Sequence, residues 1–414
     1  MHTYHLQCRL SKYLKHNTYN KDVMKNAFQF HGRGGEYFGI WIVNILLTIV
    51  TFGLYSPWAH VRNKKYFYGN TELAGERFEY LATGKQIFLG RLIAGVLFIA
   101  FSILYQTMFV VSMFILVFMM LLYPWVVQRS LRFNAVMTRY RGVRFGFNGS
   151  VKDAYVGFLG KPIVAYIIGG LWAGLAYLIV NGFTVKPLKD PNISAGQGVA
   201  LLIWMLGFVA ICMLLLAWVK KGIAAYIHNG YMYGDQKFQA PLSTVQYMKN
   251  YWLALFTVLG FVVLASVILG VMGVFTFGKS GEAASPMALV FGLVTLVFYI
   301  GLFVLMLFIN ALIFSKIRNY TYGQTQIGAE RAYAFESNIM PSDYMVLLFT
   351  NSLMVTFSLG FLTPFVRVRV AEFLAKHTSI TGDLNALVSQ EQAQVKTGAT
   401  ADALGDVFNL DIQF

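Results

Sequence analysis

Residues 57–78 read PWAHVRNKKYFYGNTELAGERF, and residues 124–145 read PWVVQRSLRFNAVMTRYRGVRF, with the same internal spacing and no gap. Both copies place proline, tryptophan, arginine, threonine, glycine and phenylalanine at matching positions. Looser copies, which slip by a residue in places, lie at 218–238, 316–328 and 364–382. A repeat of this kind predicts a protein built from several similar modules, and it leaves the chemistry open.

The composition indicates a membrane protein. Of the 414 residues, 57% are hydrophobic and only 12% are charged, with a mean hydropathy of +0.58; soluble domains carry about 25% charged residues. The formal net charge is +15. Because the lysines and arginines flank apolar runs, we expect them to set membrane orientation and to meet anionic lipid headgroups, with no nucleic-acid partner. Homo-oligomerisation is left open.

Eight apolar runs approach the length of about 20 residues that a membrane-crossing helix needs. The connections that hold the repeated motif are basic, which predicts that they face the cytoplasm, and their alternating residues and glycines predict β-hairpins. The predicted fold is an all-α polytopic membrane protein of about eight apolar helices from repeated modules, with short cytoplasmic β-hairpins. The runs are 37–58, 86–105, 108–127, 159–180, 199–219, 251–275, 287–314 and 344–365.

The first and last runs resemble each other, since Asn44 matches Asn351 and Gly53 to Pro57 match Gly360 to Pro364. One hypothesis is that both runs are re-entrant or interfacial, which would place both termini in the cytoplasm; the alternative is two ordinary crossings. The chain divides into a basic leader at 1–27, a repeated membrane domain at 28–382 and a polar tail at 383–414. The leader lacks the apolar core of a signal peptide.

Several stretches resemble the YjgN-like family of bacterial inner-membrane proteins, a domain of unknown function. They are Gly35-Glu36-Tyr37-Phe38, Thr51 through Trp58, Tyr68-Gly69-Asn70-Thr71 and the closing Gly405-Asp406-Val407-Phe408. The resemblance covers most of the chain from Phe28 onward. It implies a multi-pass protein of the bacterial inner (plasma) membrane, and it implies no known activity, cofactor or catalytic residue.

Three arginines, Arg62, Arg129 and Arg369, stand just outside apolar runs. Guanidinium groups at that depth can bind lipid phosphates, although plain snorkelling anchors explain the same positions.

Four polar residues lie inside apolar runs and are candidates to line a cavity. Arg91 is ionisable, so it either snorkels to the cytoplasmic face or lines a cavity. Asn44, Asn351 and Asn310 are amides, for which helix–helix hydrogen bonding is the ordinary use. Equivalent positions of Asn44 and Asn351 make a paired central site conceivable, because transporter sites form at repeat interfaces.

Residues for catalysis or metal binding are not apparent. The two cysteines, Cys8 and Cys212, provide no disulfide framework, and the histidines lack metal-ligand spacing. We therefore predict no enzyme activity, no cofactor and no metal site. The predicted function is a transporter or channel for a small or anionic solute. The alternative is a structural or anionic-lipid-binding membrane protein with a basic cytoplasmic face.

Overall fold

The computed structural model describes residues 24–181, 195–277, 286–328 and 333–384. Most of the predicted leader, nearly all of the tail and the turns near 184–198 and 276–286 therefore lie largely outside the described residues. The helices are α1 Gly34–Val50, α2 Ser56–Gly69, α3 Gly84–Thr107, α4 Phe109–Val136, α5 Val151–Tyr155 with Lys161–Asn181, α6 Ala195–Gly230, α7 Thr244–Phe277, α8 Pro286–Gln324, α9 Pro341–Phe357 and α10 Thr363–Lys376. A π-helical turn, Val156–Gly160, joins the two parts of α5.

The strands form one eleven-stranded sheet in which every pairing is antiparallel. Along the chain, the order strand, helix, helix, strand recurs from β1–α1–α2–β2 to β10–α9–α10–β11. The strands are β1 Lys25–Phe30, β2 Thr71–Leu73, β3 Glu76–Arg77, β4 Glu79–Tyr80, β5 Thr138–Tyr140, β6 Val143–Phe147, β7 Tyr231–Tyr233, β8 Gln236–Gln239, β9 Gln326–Ile327, β10 Tyr333–Ser337 and β11 Thr378–Thr381.

This sheet closes on itself, and we call it the β-ring. Its two edge strands, β3 and β4, are separated in sequence only by Phe78. On one side, β3 pairs with β2, and Phe78 N donates to Thr71 O at 3.1 Å. On the other side, β4 pairs with β5, and Leu81 N donates to Met137 O at 2.8 Å. Closure removes exposed strand edges, so hairpins from distant loops stabilise one another. The predicted separate hairpins are thus one assembly.

Large side chains fill the inside of the β-ring. A barrel of about eight strands is just wide enough to be filled by side chains, so a wider one needs bulky residues. Each inner phenylalanine lies beside a tyrosine or aliphatic residue of the next strand, and all belong to one hydrophobic cluster. The pairs are Phe28 with Leu73, Phe78 with Tyr140, Phe145 with Tyr233, Phe238 with Ile327 and Phe335 with Ile380.

Glycines with positive φ make the tight turns of two hairpins. Gly75 has φ +83° and Gly142 has φ +79°, a region that side chains with a Cβ rarely adopt. The prediction of glycine-containing β-hairpins in the basic connections is confirmed at these two turns.

Among the described residues, six helices, α3 to α8, are long and apolar enough to cross a membrane. Each helix contacts the next along the chain, and α10 contacts α1. The count of about eight apolar helices is not confirmed, because six of the described helices reach spanning length. The runs at 37–58 and 344–365 each form a short helix, a turn and the start of a second helix. Because α1 and α9 have 17 residues each, they reach only about 26 Å, short of the roughly 30 Å hydrocarbon core.

The turns between the short helices are apolar and exposed. After α1, Phe52 and Gly53 have positive φ, and Gly53 N donates to Thr48 O at 2.7 Å. After α9, Leu359 and Gly360 repeat this conformation, and Gly360 N donates to Val355 O at 2.9 Å. Phe52 is 97% exposed in the isolated chain. This geometry favours the hypothesis that the two runs are re-entrant or interfacial over two ordinary crossings.

Candidate functional site

The second helix of each helix pair is held by a small residue against its neighbours. Five such residues are buried almost completely: Pro57, Pro124, Ala217, Ala311 and Pro364. A residue five positions further along an α-helix points about 140° away from that contact. The same packing therefore directs the residue five positions later away from the neighbouring helix, close to where the helix meets the β-ring.

The three predicted lipid-phosphate residues occupy this position on α2, α4 and α10. Arg62 is exposed. Arg129 is half-buried, with its guanidinium carbon 5.7 Å from the centre of the Trp125 ring. Arg369 is half-buried and donates to Asn351 Oδ1 at 3.0 Å and to Thr350 Oγ1 at 3.1 Å. The three arginines thus hold equivalent positions in three different helix pairs, each nine residues before the next strand of the β-ring.

The predicted cavity residues are not gathered by hydrogen bonds into one site. Asn44 donates to Asn63 Oδ1 at 3.0 Å within the α1–α2 pair, whereas Asn351 accepts from Arg369 within the α9–α10 pair. Asn310 is exposed and donates to Met306 O of its own helix at 2.8 Å. Arg91 is half-buried, less than two turns into α3. Sequence reasoning missed Asn63, although an amide beside Arg62 was an available signal.

Charge is confined to one end of the spanning helices. The stretches 92–128, 162–185, 191–219, 250–278 and 283–315 contain no Asp, Glu, Lys or Arg. The surface that these helices expose is instead apolar, as on α4 at Phe114 and Phe118 and on α7 at Val263. A surface of this kind suits acyl chains, and the basic residues at the ring end suit headgroups.

The interior of the β-ring is electrically neutral and tightly hydrogen-bonded. The Tyr140 hydroxyl donates to Leu73 O at 2.8 Å, and the Tyr233 hydroxyl donates to Tyr140 O at 3.0 Å. Burial raises the pKa of Tyr140 and raises the pKa of Tyr233 to about 12, so both stay protonated at neutral pH. These buried hydrogen bonds join neighbouring strands inside the β-ring.

A small pocket lies where the β-ring meets α6 and α8. There His228 Nδ1 lies 3.2 Å from Thr325 Oγ1, so the imidazole has a neutral hydrogen-bonding partner. Among the residues that the structure describes, no group of three or more His, Cys, Asp or Glu side chains is placed to hold a metal ion. The pocket is lined by His228, Tyr231, Phe238, Tyr322, Thr325 and Phe335.

Comparison with known proteins supports the resemblance noted in the sequence. Residues 25–407 match the family described as "Bacterial protein of unknown function (DUF898)". The chain is 24% identical over 384 residues to "Inner membrane protein YjgN" of Salmonella typhimurium strain LT2, covering 89% of this chain and 91% of that protein. It is 31% identical over 251 residues to the protein of the same name from Escherichia coli K12, covering 60% of each.

No solved structure matches the chain. The family match and the six apolar helices make this a multi-pass protein of the bacterial inner membrane. The match over residues 25–407 shows that the chain belongs to the DUF898 family, whose YjgN relatives are inner-membrane proteins.

Proposed function

We propose that the protein binds anionic lipid through a basic face at the cytoplasmic membrane boundary, and that it has a structural role in the inner membrane. This proposal rests on the equivalent positions of Arg62, Arg129 and Arg369, each nine residues before the next strand of the β-ring, which we take to form one basic level. Anionic headgroups are the negative groups that such a level meets.

Tryptophan residues beside Arg62 and Arg129 support a position of these arginines at the membrane interface. Trp58 stacks near Tyr55, with ring centres 6.2 Å apart, and packs against Phe88 of α3 at 5.4 Å. Trp125 lies under Arg129. Tryptophan is enriched at the membrane interface, and arginine binds phosphate through two parallel hydrogen bonds. A phospholipid phosphate fits both requirements.

The orientation follows from the closed sheet and the charges. A β-ring that collects strands from the whole chain must lie on one side of the membrane, and its loops are rich in Arg and Lys. We infer that this side is the cytoplasm, by the positive-inside rule. The two short helix pairs then enter the membrane as re-entrant hairpins. A topology reporter fused at Phe414 tests this inference, and a periplasmic signal would reject it.

Lipid analysis of purified variants tests the proposed function. Arg62→Gln and Arg129→Gln together should reduce the anionic phospholipid that co-purifies with the protein, because each removes about 1 kcal/mol of attraction to an anionic surface. Arg77→Gln is the matched control, since Arg77 is exposed and belongs to strand β3 of the β-ring, not to a helix. Equal anionic lipid content in the double variant and the control would reject the proposal.

A second candidate is transport of a small or anionic solute. One observation favours it: Asn44 Oδ1 and Asn351 Nδ2 are buried and have no hydrogen-bond partner among the described residues. Such amide atoms suit a polar guest. Cysteines introduced at positions 44 and 351 should then react with water-soluble thiol reagents. Full protection of both cysteines would exclude a hydrated pathway there.

A further inference from the structure

The basic level described above is incomplete in the third helix pair. In the second helix of each pair, one residue lies eleven positions before an inward-facing residue of the β-ring. This residue is a cation in four of the helices and a glycine in α6. The residues are Arg62 before Leu73, Arg129 before Tyr140, Gly222 before Tyr233, Lys316 before Ile327 and Arg369 before Ile380.

At this position the cation comes from the neighbouring helix, and it adds to the charge of Lys221, which precedes Gly222 on α6. Lys161 of α5 extends its side chain over Gly222 of α6. A Cβ added at Gly222 would overlap Lys161 Nζ and would lie 2.8 Å from its Cδ and 3.1 Å from its Cε. Because Gly222 has no side chain, the Lys161 ammonium can occupy this space. All five helix pairs then carry a cation near this level.

A π-helical turn places Lys161 there. Lys161 N donates to Val156 O, an i to i−5 hydrogen bond that closes the turn Val156–Gly160. A π-turn inserts one extra residue into a helix and rotates the residues after it, and such turns are frequent at functional sites. Rotation of Lys161 onto the α6 side is the consequence here.

The surroundings of Lys161 match those of the arginine sites. Its Nζ lies 5.4 Å from the centre of the Trp218 ring, as the Arg129 guanidinium lies over Trp125. Lys161 is half-buried. Within the described part of the chain, no carboxylate forms an ion pair with it, and the Asp153 carboxylate is bonded to the Ser150 hydroxyl at 2.7 Å.

We propose that Lys161, with Trp218 beneath it, binds the phosphate group of an anionic phospholipid between α5 and α6. Lys316 is the corresponding contact on α8, where it is exposed. This inference rests on the proposed function, because it extends the same basic level to Lys316, which the repeat aligns, and to Lys161, which the repeat does not align. The ammonium supplies a point charge to the phosphate, and the indole lies at headgroup depth.

Titration of the detergent-purified full chain with short-chain phosphatidylglycerol tests Lys161. Lys161→Gln should weaken binding about fivefold, while phosphatidylcholine binding stays unchanged. Lys152→Gln is the matched control, because Lys152 is exposed at the start of the same helix. A loss of affinity equal to that of the control would overturn the inference.

A double variant that moves the positive charge from α5 to α6 distinguishes loss of the site from loss of folding. Lys161→Ala should weaken binding, and Lys161→Ala with Gly222→Lys should restore it by returning the cation to α6. Failure of this rescue in a protein of unchanged melting temperature would count against the site. Inorganic phosphate serves as a competitor, and equally tight binding of free phosphate would overturn the assignment to lipid.

The outcomes separate this inference from the proposed function. If Arg62→Gln and Arg129→Gln lower phosphatidylglycerol affinity and Lys161→Gln does not, only the Lys161 site is wrong. If no variant lowers the affinity, both proposals fail.

Discussion

In the β-ring, Phe238 and Tyr233 are 5% and 4% exposed, whereas Phe256 and Leu264 on α7 are 60% and 61% exposed. The ring buries its large side chains against one another, as the core of a water-soluble domain does. The spanning helices instead touch mainly their chain neighbours and present apolar side chains outward. Shape complementarity is therefore needed in the ring, while the spans need only apolar character toward lipid.

The largest expected effect comes from truncating the ring core. Phe238→Ala should lower the free energy of unfolding by about 3–5 kcal/mol, because it leaves a cavity between Ile327, Phe335 and Phe145. Phe256→Ala, on the exposed face of α7, is the matched control and should cost less than about 1 kcal/mol. Thermal unfolding in one detergent measures both. Similar losses would contradict the contrast between the two regions.

The next effect concerns the turns that join the short helices, which should behave like the spans and not like the ring. Leu359 is 89% exposed. If that turn lies in the membrane, Leu359→Asp should cost about 2.5–3.5 kcal/mol in nanodiscs, the penalty of a charge in hydrocarbon. A tryptophan at 359 should also be quenched by lipids brominated on their acyl chains. An unquenched tryptophan would place the turn outside the bilayer.

The smallest effects concern amides in the helices. Asn44→Ala should destabilise the protein by about 0.6 kcal/mol, and by at most about 1.7 kcal/mol, because it removes the hydrogen bond to Asn63. Asn310→Ala is the control, since Asn310 bonds only to its own helix backbone in the described structure. Its change should be near zero. Chemical unfolding of both variants in mixed micelles measures the difference, and a larger loss for Asn310→Ala would contradict this assignment.

Much of the local structure could be predicted from the sequence. The Gly75 and Gly142 turns, the strands around them and the six long helices follow from local pattern. Pairing between hairpins could not be predicted, because the partners of Phe145 and Phe238 come from other repeats. Hydropathy alone gave eight runs of similar length, because it does not register the turn that Gly53 makes after α1.

The candidate site could be predicted only in part. Arg62 and Arg129 stand out because tryptophan precedes each at the same distance. The contact between Lys161 and Gly222 had no sequence signal, because its two members lie on different helices and one is a glycine. Similarly, Asn44 and Asn351 are equivalent in sequence, yet Asn44 meets an amide and Asn351 meets Arg369. Tertiary packing, and not local pattern, selects these partners.

Pairing of β1 with β11 joins residues that lie as far apart as Asn26 and Ile380, 354 positions along the chain. During synthesis, the ribosome must therefore release almost the entire polypeptide before this pairing can form. The three long helix pairs, α3–α4, α5–α6 and α7–α8, can enter the bilayer earlier. Until synthesis is complete, the β-ring that their flanking strands belong to cannot close. Contacts of such high sequence separation form slowly. Until the last strand arrives, the nascent protein carries open strand edges in the cell, and these are its point of greatest exposure to aggregation and proteolysis.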